Sequence, residues 1–160
     1  MGMDVYGNKP TTKEGEYFRS SVWSWRPLAA YVCDIAPEIT AKCKYWQSND
    51  GDGLNAADSA KLADALQAEI DAGRTKGFER IRRSEIESLP DEDCELCEGT
   101  GTRKAVPQRG AGDPKNGGIP CNGCGTTGHK RPPDAMYPFE TEHVQEFVMF
   151  LRSCGGFKIY

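Results

Sequence analysis

Apolar positions return at helical spacing in several stretches of this chain, each bounded by residues that start or stop a helix. The clearest covers residues 56–72, where Leu62, Leu66 and Ile70 form a stripe. Asn55 is placed to cap it, Asp58 favours the positive end of the helix dipole, and Gly73 follows as a stop. A second helix is expected over 76–89, carrying Phe78, Ile81, Ile86 and Leu89, with Pro90 closing it. A third starts with Thr141 as cap, presents Val144, Phe147, Val148 and Leu151, and ends at Gly155 and Gly156.

Nearer the N-terminus the pattern is less regular. Residues 1–15 read as a polar lead-in containing Gly and Pro. Tyr17, Phe18, Val22, Trp23 and Trp25 make an aromatic stretch. Leu28, Tyr31, Val32 and Ile35 then follow helical spacing behind Pro27, which a first helical turn tolerates. Pro37 opens a short helix with Ile39, Cys43 and Trp46 on one side. The loop Asn49-Asp50-Gly51-Asp52-Gly53 breaks it, because Gly and Asn/Asp supply the positive backbone angles of a sharp turn. At the other end Phe157, Lys158, Ile159 and Tyr160 alternate as a short strand docked on the core would.

Composition narrows the class. The chain has 160 residues, 38% hydrophobic and 28% charged, enough for one core with a small appendage. No apolar run approaches the ~20 residues of a membrane span, and no basic-then-apolar leader opens the chain. A cytoplasmic setting is expected, in a bacterium or a phage-infected host cell. The net charge of -4 argues against a general phosphate-binding surface. The average hides an asymmetry: residues 84–101 hold Glu and Asp but no Lys or Arg, whereas residues 102–131 are basic.

The cysteines change the picture most. Cys94 and Cys97 form one CxxC pair, Cys121 and Cys124 another, separated by residues 98–120. Each pair puts two thiolates on one tight turn, and two such turns make the four-sulfur cage preferred by structural zinc. One Zn2+ is expected, holding shape and leaving no open position for chemistry. Cage formation is worth on the order of 10 kcal/mol of local folding. Seven cysteines without a secretion signal favour thiols over a disulfide framework. Together the patterns predict an α+β fold, mainly α: a compact helical core, an inserted β-hairpin zinc-knuckle module and a short C-terminal strand. The expected division is 1–90, 91–131 and 132–160.

Around the first pair the chain reads Cys-Glu-Leu-Cys-Glu-Gly-Thr-Gly. This segment resembles the cysteine-rich zinc domain of DnaJ-type (Hsp40) co-chaperones, and the likeness extends over residues ~94–128. It implies a knuckle fold and zinc. The second pair departs from the motif, with Gly125 and Gly128 where glycine is expected at the positions of residues 126 and 128. No J-domain accompanies it, so the resemblance does not imply chaperone activity. The whole chain also resembles small proteins of bacteria and their phages, through the Trp-Arg-Pro-Leu stretch, the loop 48–54 and residues 150–157. That likeness brings a context and no activity.

The remaining candidates are polar and aromatic. Trp23, Trp25 and Arg26 supply stacking faces and an anion clamp for a nucleotide or a partner loop, and Trp46, Asn49, Asp50 and Asp52 are candidates to complete such a pocket. The loop lacks the acids an EF-hand requires at its first and twelfth positions. No Ser/His/Asp arrangement, phosphate-cradling loop or HExxH motif is legible. The leading expectation is therefore a zinc-stabilised, non-enzymatic binding protein engaging a host protein or a small nucleotide-like ligand. A phage-encoded modulator of a host or defence system is one setting. One alternative is nucleic-acid binding through Arg103, Lys104 and Arg109. Another is a small enzyme acting on a nucleotide-like substrate with Trp25, Arg26, Asp50 and Asp52.

Overall fold

The computed structural model describes residues 2–103 and 118–160. The fold is α+β and mainly helical, and the chain divides into two compact units: Met1–Glu87 with Met136–Tyr160, and Ser88–Ala135.

The first unit is built on a four-stranded antiparallel sheet, three of whose strands come from the two ends of the sequence and one from its interior. They are β1 (Gly2–Gly7), β2 (Tyr17–Ser21), β3 (Gly53–Asn55) and, last in the chain, β8 (Gly156–Ile159), ordered β2-β1-β8-β3. The register sets Val5 opposite both Phe18 and Ile159, and Leu54 opposite Phe157. These residues are all buried, whereas Tyr6, Tyr17 and Lys158 on the alternate face are exposed. A two-residue alternation over Met3 to Tyr6 thus makes a central strand of what reads as a polar lead-in.

Helices α1 (Val22–Ile35), α3 (Ala56–Asp71) and α5 (Thr141–Ser153) pack on the inner face of this sheet. Trp25, Leu28, Leu62, Leu66, Phe147 and Phe150 fill the space between, each 2% exposed or less. Helix α3 begins as its sequence demands, with Asn55 Oδ1 accepting the Asp58 amide at 2.9 Å. Helix α1 starts earlier than the Pro27 rule implies. Ser21 Oγ accepts the Ser24 amide at 3.1 Å and caps it, so Pro27 falls in the second turn and withholds an N–H from the Trp23 carbonyl.

The short α2 (Pro37–Thr40) stops before Cys43 and Trp46, which lie in the turns that follow. Helix α4 (Arg74–Ser88) buries Thr75 and Glu79 and leaves Phe78 and Ile81 exposed. Glu140, not Thr141, occupies the cap position of α5, and Thr141 is its first residue. Among the described residues no helix is long and apolar enough to cross a membrane.

Among its described residues the second unit holds four two-residue strands: β4 (Glu92–Asp93), β5 (Thr102–Arg103), β6 (Ile119–Pro120) and β7 (His129–Lys130). Strand β4 pairs with β7 and β5 with β6, both antiparallel, so each CxxC turn is bracketed by a strand of either pair.

Candidate metal centre and ligand cleft

Each CxxC turn is a short run of backbone hydrogen bonds that aims two sulfurs the same way. In the first, the Cys97 and Glu98 amides bond to the Cys94 carbonyl at 3.1 and 2.7 Å. In the second, the Thr126 amide bonds to the Cys121 carbonyl at 3.1 Å. The turns are tied to each other reciprocally. The Cys94 amide donates to the Gly128 carbonyl at 2.8 Å, and the Cys121 amide donates to the Gly101 carbonyl at 3.0 Å. Gly101 and Gly128 must be glycine for this crossing. A Cβ on either would stand 2.2 Å from a backbone carbonyl oxygen of the opposite turn.

The second knuckle keeps its shape without the expected glycine pattern, and the backbone shows why. Both turns need two successive left-handed residues: Glu98 (φ 50) with Gly99 (φ 80), and Gly125 (φ 59) with Thr126 (φ 74). One glycine and one non-glycine serve each turn, in opposite order. Thr126 therefore carries the strain that Glu98 carries in the first.

The result is a four-sulfur cluster. The Sγ atoms of Cys94, Cys97, Cys121 and Cys124 all lie within 4.8 Å of one another. Cys94 and Cys121 are 3.8 Å apart, and Cys97 and Cys124 are 3.7 Å apart. A tetrahedron of sulfurs around zinc has edges of about 3.8 Å, whereas a disulfide requires about 2.05 Å. The Gly128 amide donates to Cys124 Sγ at 3.3 Å. Burial raises the Cys124 thiol, but the Gly128 amide and the neighbouring sulfurs outweigh it and bring it down to about 6. Burial pushes Cys97 up to about 11. A divalent cation at the centre strips thiols of their remaining protons. The donor set is closed, buried and soft, and can hold a metal ion such as zinc.

Charge in this unit is arranged across its strands. His129 Nδ1 lies 3.0 Å from Asp93, and Arg131 Nη1 lies 3.3 Å from Asp91 and 2.9 Å from the Leu89 carbonyl. The acidic entry and basic exit seen in the sequence are thus partners across β4 and β7. His129 is engaged with Asp93 rather than with the sulfurs. Arg103 stands on β5 opposite Ile119, while Lys104 and Arg109 lie outside the described residues.

The aromatic and acidic candidates separate. Trp25 is 1% exposed, stacks on Trp46 at 6.2 Å and donates its indole N–H to the Trp46 carbonyl at 2.6 Å. Trp46 is 6% exposed and donates its own N–H to the Thr40 carbonyl at 3.0 Å. Both rings are core, with no face left for a ligand. Asp52 is a backbone clamp, accepting the Lys44, Tyr45 and Gly53 amides at 2.6, 3.2 and 2.9 Å. Burial opposes its charge, but those three amides prevail and hold the carboxyl below its ordinary range. Asp50 accepts the Ser48 hydroxyl, and Asn49 reaches the Gly2 carbonyl at 3.5 Å.

Trp23 and Arg26 stay at the surface, and Tyr137 joins them. Trp23 is 42% exposed with its ring 5.1 Å from that of Tyr137. Arg26 donates from Nη1 to the Tyr137 hydroxyl at 2.9 Å, its guanidinium 5.6 Å from the ring centre. Arg26 and Tyr137, but not Trp23, border an open cleft of about 390 Å³ between α1 and α4. One wall is a single face of α1, with Arg26, Ala30 and Asp34 on successive turns. The other is a single face of α4, with Phe78, Arg82 and Glu85. Tyr31, Phe78, Arg82, Asp34 and Tyr137 are missing from any list drawn from motifs. Their signal is only the i, i+4 spacing of polar residues beside aromatics, which ordinary solvated helices share.

Comparison with models of protein families, with curated proteins and with solved structures finds no match for this chain, and so none for the DnaJ-type resemblance of its knuckles.

Proposed function

We propose that this is a zinc-stabilised, non-enzymatic binding protein that takes a small nucleotide-like ligand in the cleft beside Arg26. The sulfur cluster supports one structural zinc, because a closed tetrahedral donor set leaves no position for a substrate. The observation that carries the binding role is the cleft itself. Its volume falls in the ~300–1,000 Å³ range of ligand sites. It joins aromatic surface to an arginine that has no carboxylate within ion-pair reach among the described residues. Arginine held against a tyrosine presents a planar fork suited to phosphate. Asp52, the carboxylate that an enzymatic reading needs most, is committed to backbone amides. The setting is the bacterial or phage-infected cytoplasm that the whole-chain resemblance brings, where such a protein modulates a host system by sequestering a ligand.

Two measurements test this. Elemental analysis is expected to give one zinc per chain, lost in Cys94→Ser. A nucleotide panel is expected to raise the melting temperature of the zinc-loaded protein, with Arg26→Ala abolishing the rise. Purified protein without stoichiometric zinc, or a panel that leaves the melting temperature unmoved, would defeat the respective half.

A further inference from the structure

The charges lining the cleft specify more than a nucleotide in general. Arg82 and Glu85 face each other at 3.5 Å and neutralise one another. Arg26 and Asp34 have no ion-pair partner among the described residues. The formal balance of the lining is therefore zero, with one cation and one anion left for a ligand. They stand eight residues apart on one face of α1, about 12 Å along the helix at 1.5 Å per residue. Between them lie Pro27, Ala30 and Tyr31, with Phe78 opposite and 39% exposed.

From this we infer that the cleft takes a nucleoside monophosphate, its phosphate on Arg26, its base against Phe78, and an exocyclic amino group of the base on Asp34. The inference rests on the nucleotide-binding reading above and sharpens it. One unpaired guanidinium complements one phosphoryl group. A triphosphate would bring further negative charge towards Asp34 and Glu85. Polyphosphates are ordinarily escorted by a divalent cation held on carboxylates. Among the described residues, however, the cysteine cage is the one cluster of three or more metal-ligating side chains. At the other end Asp34 accepts hydrogen bonds and cannot donate them while ionised. It therefore favours cytosine or adenine, whose ring edge carries an amino group, over uracil, which offers a carbonyl oxygen at the corresponding position. A hydrogen bond to a charged group is worth about 1.5–3 kcal/mol, or roughly tenfold to a hundredfold in affinity.

Calorimetric titration of the zinc-loaded full chain with CMP, UMP, cytidine and CTP tests each part. CMP is expected to bind at least tenfold more tightly than cytidine and at least tenfold more tightly than UMP, and CTP no more tightly than CMP. Arg26→Ala is expected to erase the advantage of CMP over cytidine, and Asp34→Asn the advantage of CMP over UMP. Both side chains are exposed, so neither change threatens the fold. CTP binding above CMP, cytidine matching CMP, or an unchanged CMP to UMP ratio in Asp34→Asn overturns this inference and leaves the broader reading standing. Absence of binding by all four, and by AMP and GMP as well, overturns both.

Discussion

Replacing Glu79 by Gln tests the joint that fixes the α4 wall of the cleft. Glu79 is 5% exposed. Its carboxylate accepts from Thr141 Oγ1 at 2.6 Å, the Thr141 amide at 3.1 Å, Lys76 Nζ at 2.9 Å and Arg83 Nη2 at 2.9 Å. Thr141 opens α5, so this negative charge also sits at the positive end of a helix dipole. The Thr141 hydroxyl, with Lys76 and the Thr141 amide, outweighs burial and holds the Glu79 carboxyl down at about 2, against an ordinary 4.5. A depression of that size corresponds to roughly 3 kcal/mol. Lys76 and Arg83 are mostly exposed, so solvent takes part of it and about 2 kcal/mol is left.

The folded carboxyl titrates below the unfolded one. Its contribution is therefore complete above pH 4.5 and is lost as pH falls towards about 2. Glu79→Gln keeps the shape and removes the charge. It is expected to lower stability at neutral pH by about 2 kcal/mol and to flatten the acid limb of the stability curve. All three tryptophans lie in the same unit as Glu79, so urea unfolding followed by their emission reads that unit. A variant within about 0.5 kcal/mol of the parent at neutral pH, or one with an unaltered acid limb, refutes the reasoning.

Three further outcomes are expected. Thr126→Gly relieves a left-handed threonine that costs about 1–2 kcal/mol, so the protein should retain zinc against a competing chelator at least about fivefold better; no gain would mean the strain is not there. Asp52→Asn turns an acceptor of three amides into a group that meets one or two of them with its own N–H, and should cost about 2 kcal/mol in urea unfolding; a neutral result would free Asp52 for another role. Cys43 is 2% exposed, and burial pushes its thiol up to about 12, so native protein at pH 8 should leave it unalkylated by iodoacetamide in peptide mass spectra. Modification at the rate of a free thiol would contradict its burial.

Some of this architecture is local, and local patterns can be read from a chain. The knuckles need only cysteines three positions apart and a glycine at most of the left-handed positions that follow, so the spacing of Cys94, Cys97, Cys121 and Cys124 announces them. Helix α3 likewise carries its own cap in Asn55 and its own stripe. The tryptophans mark the limit. Once Ser21 is recognised as the cap of α1, Trp23 and Trp25 lie on opposite faces because two helical residues are separated by about 200°. Beginning the helix at Pro27 hides that, and groups an exposed ring with a buried one.

The rest depends on residues distant in the chain. Strand β1 is a short alternation with nothing to distinguish it from a loop until β2 and the C-terminal β8 pair with it on either side. Glu79 looks like any acidic residue on a charged helix until Thr141, far along the chain, places its amide and hydroxyl on the carboxylate. Tyr137 orients Arg26 in the same way. Backbone turns and caps are decided by neighbours within four residues, so composition and spacing encode them. Burial, charge pairing and concavity are decided by which distant surfaces meet, and only the folded chain brings those together.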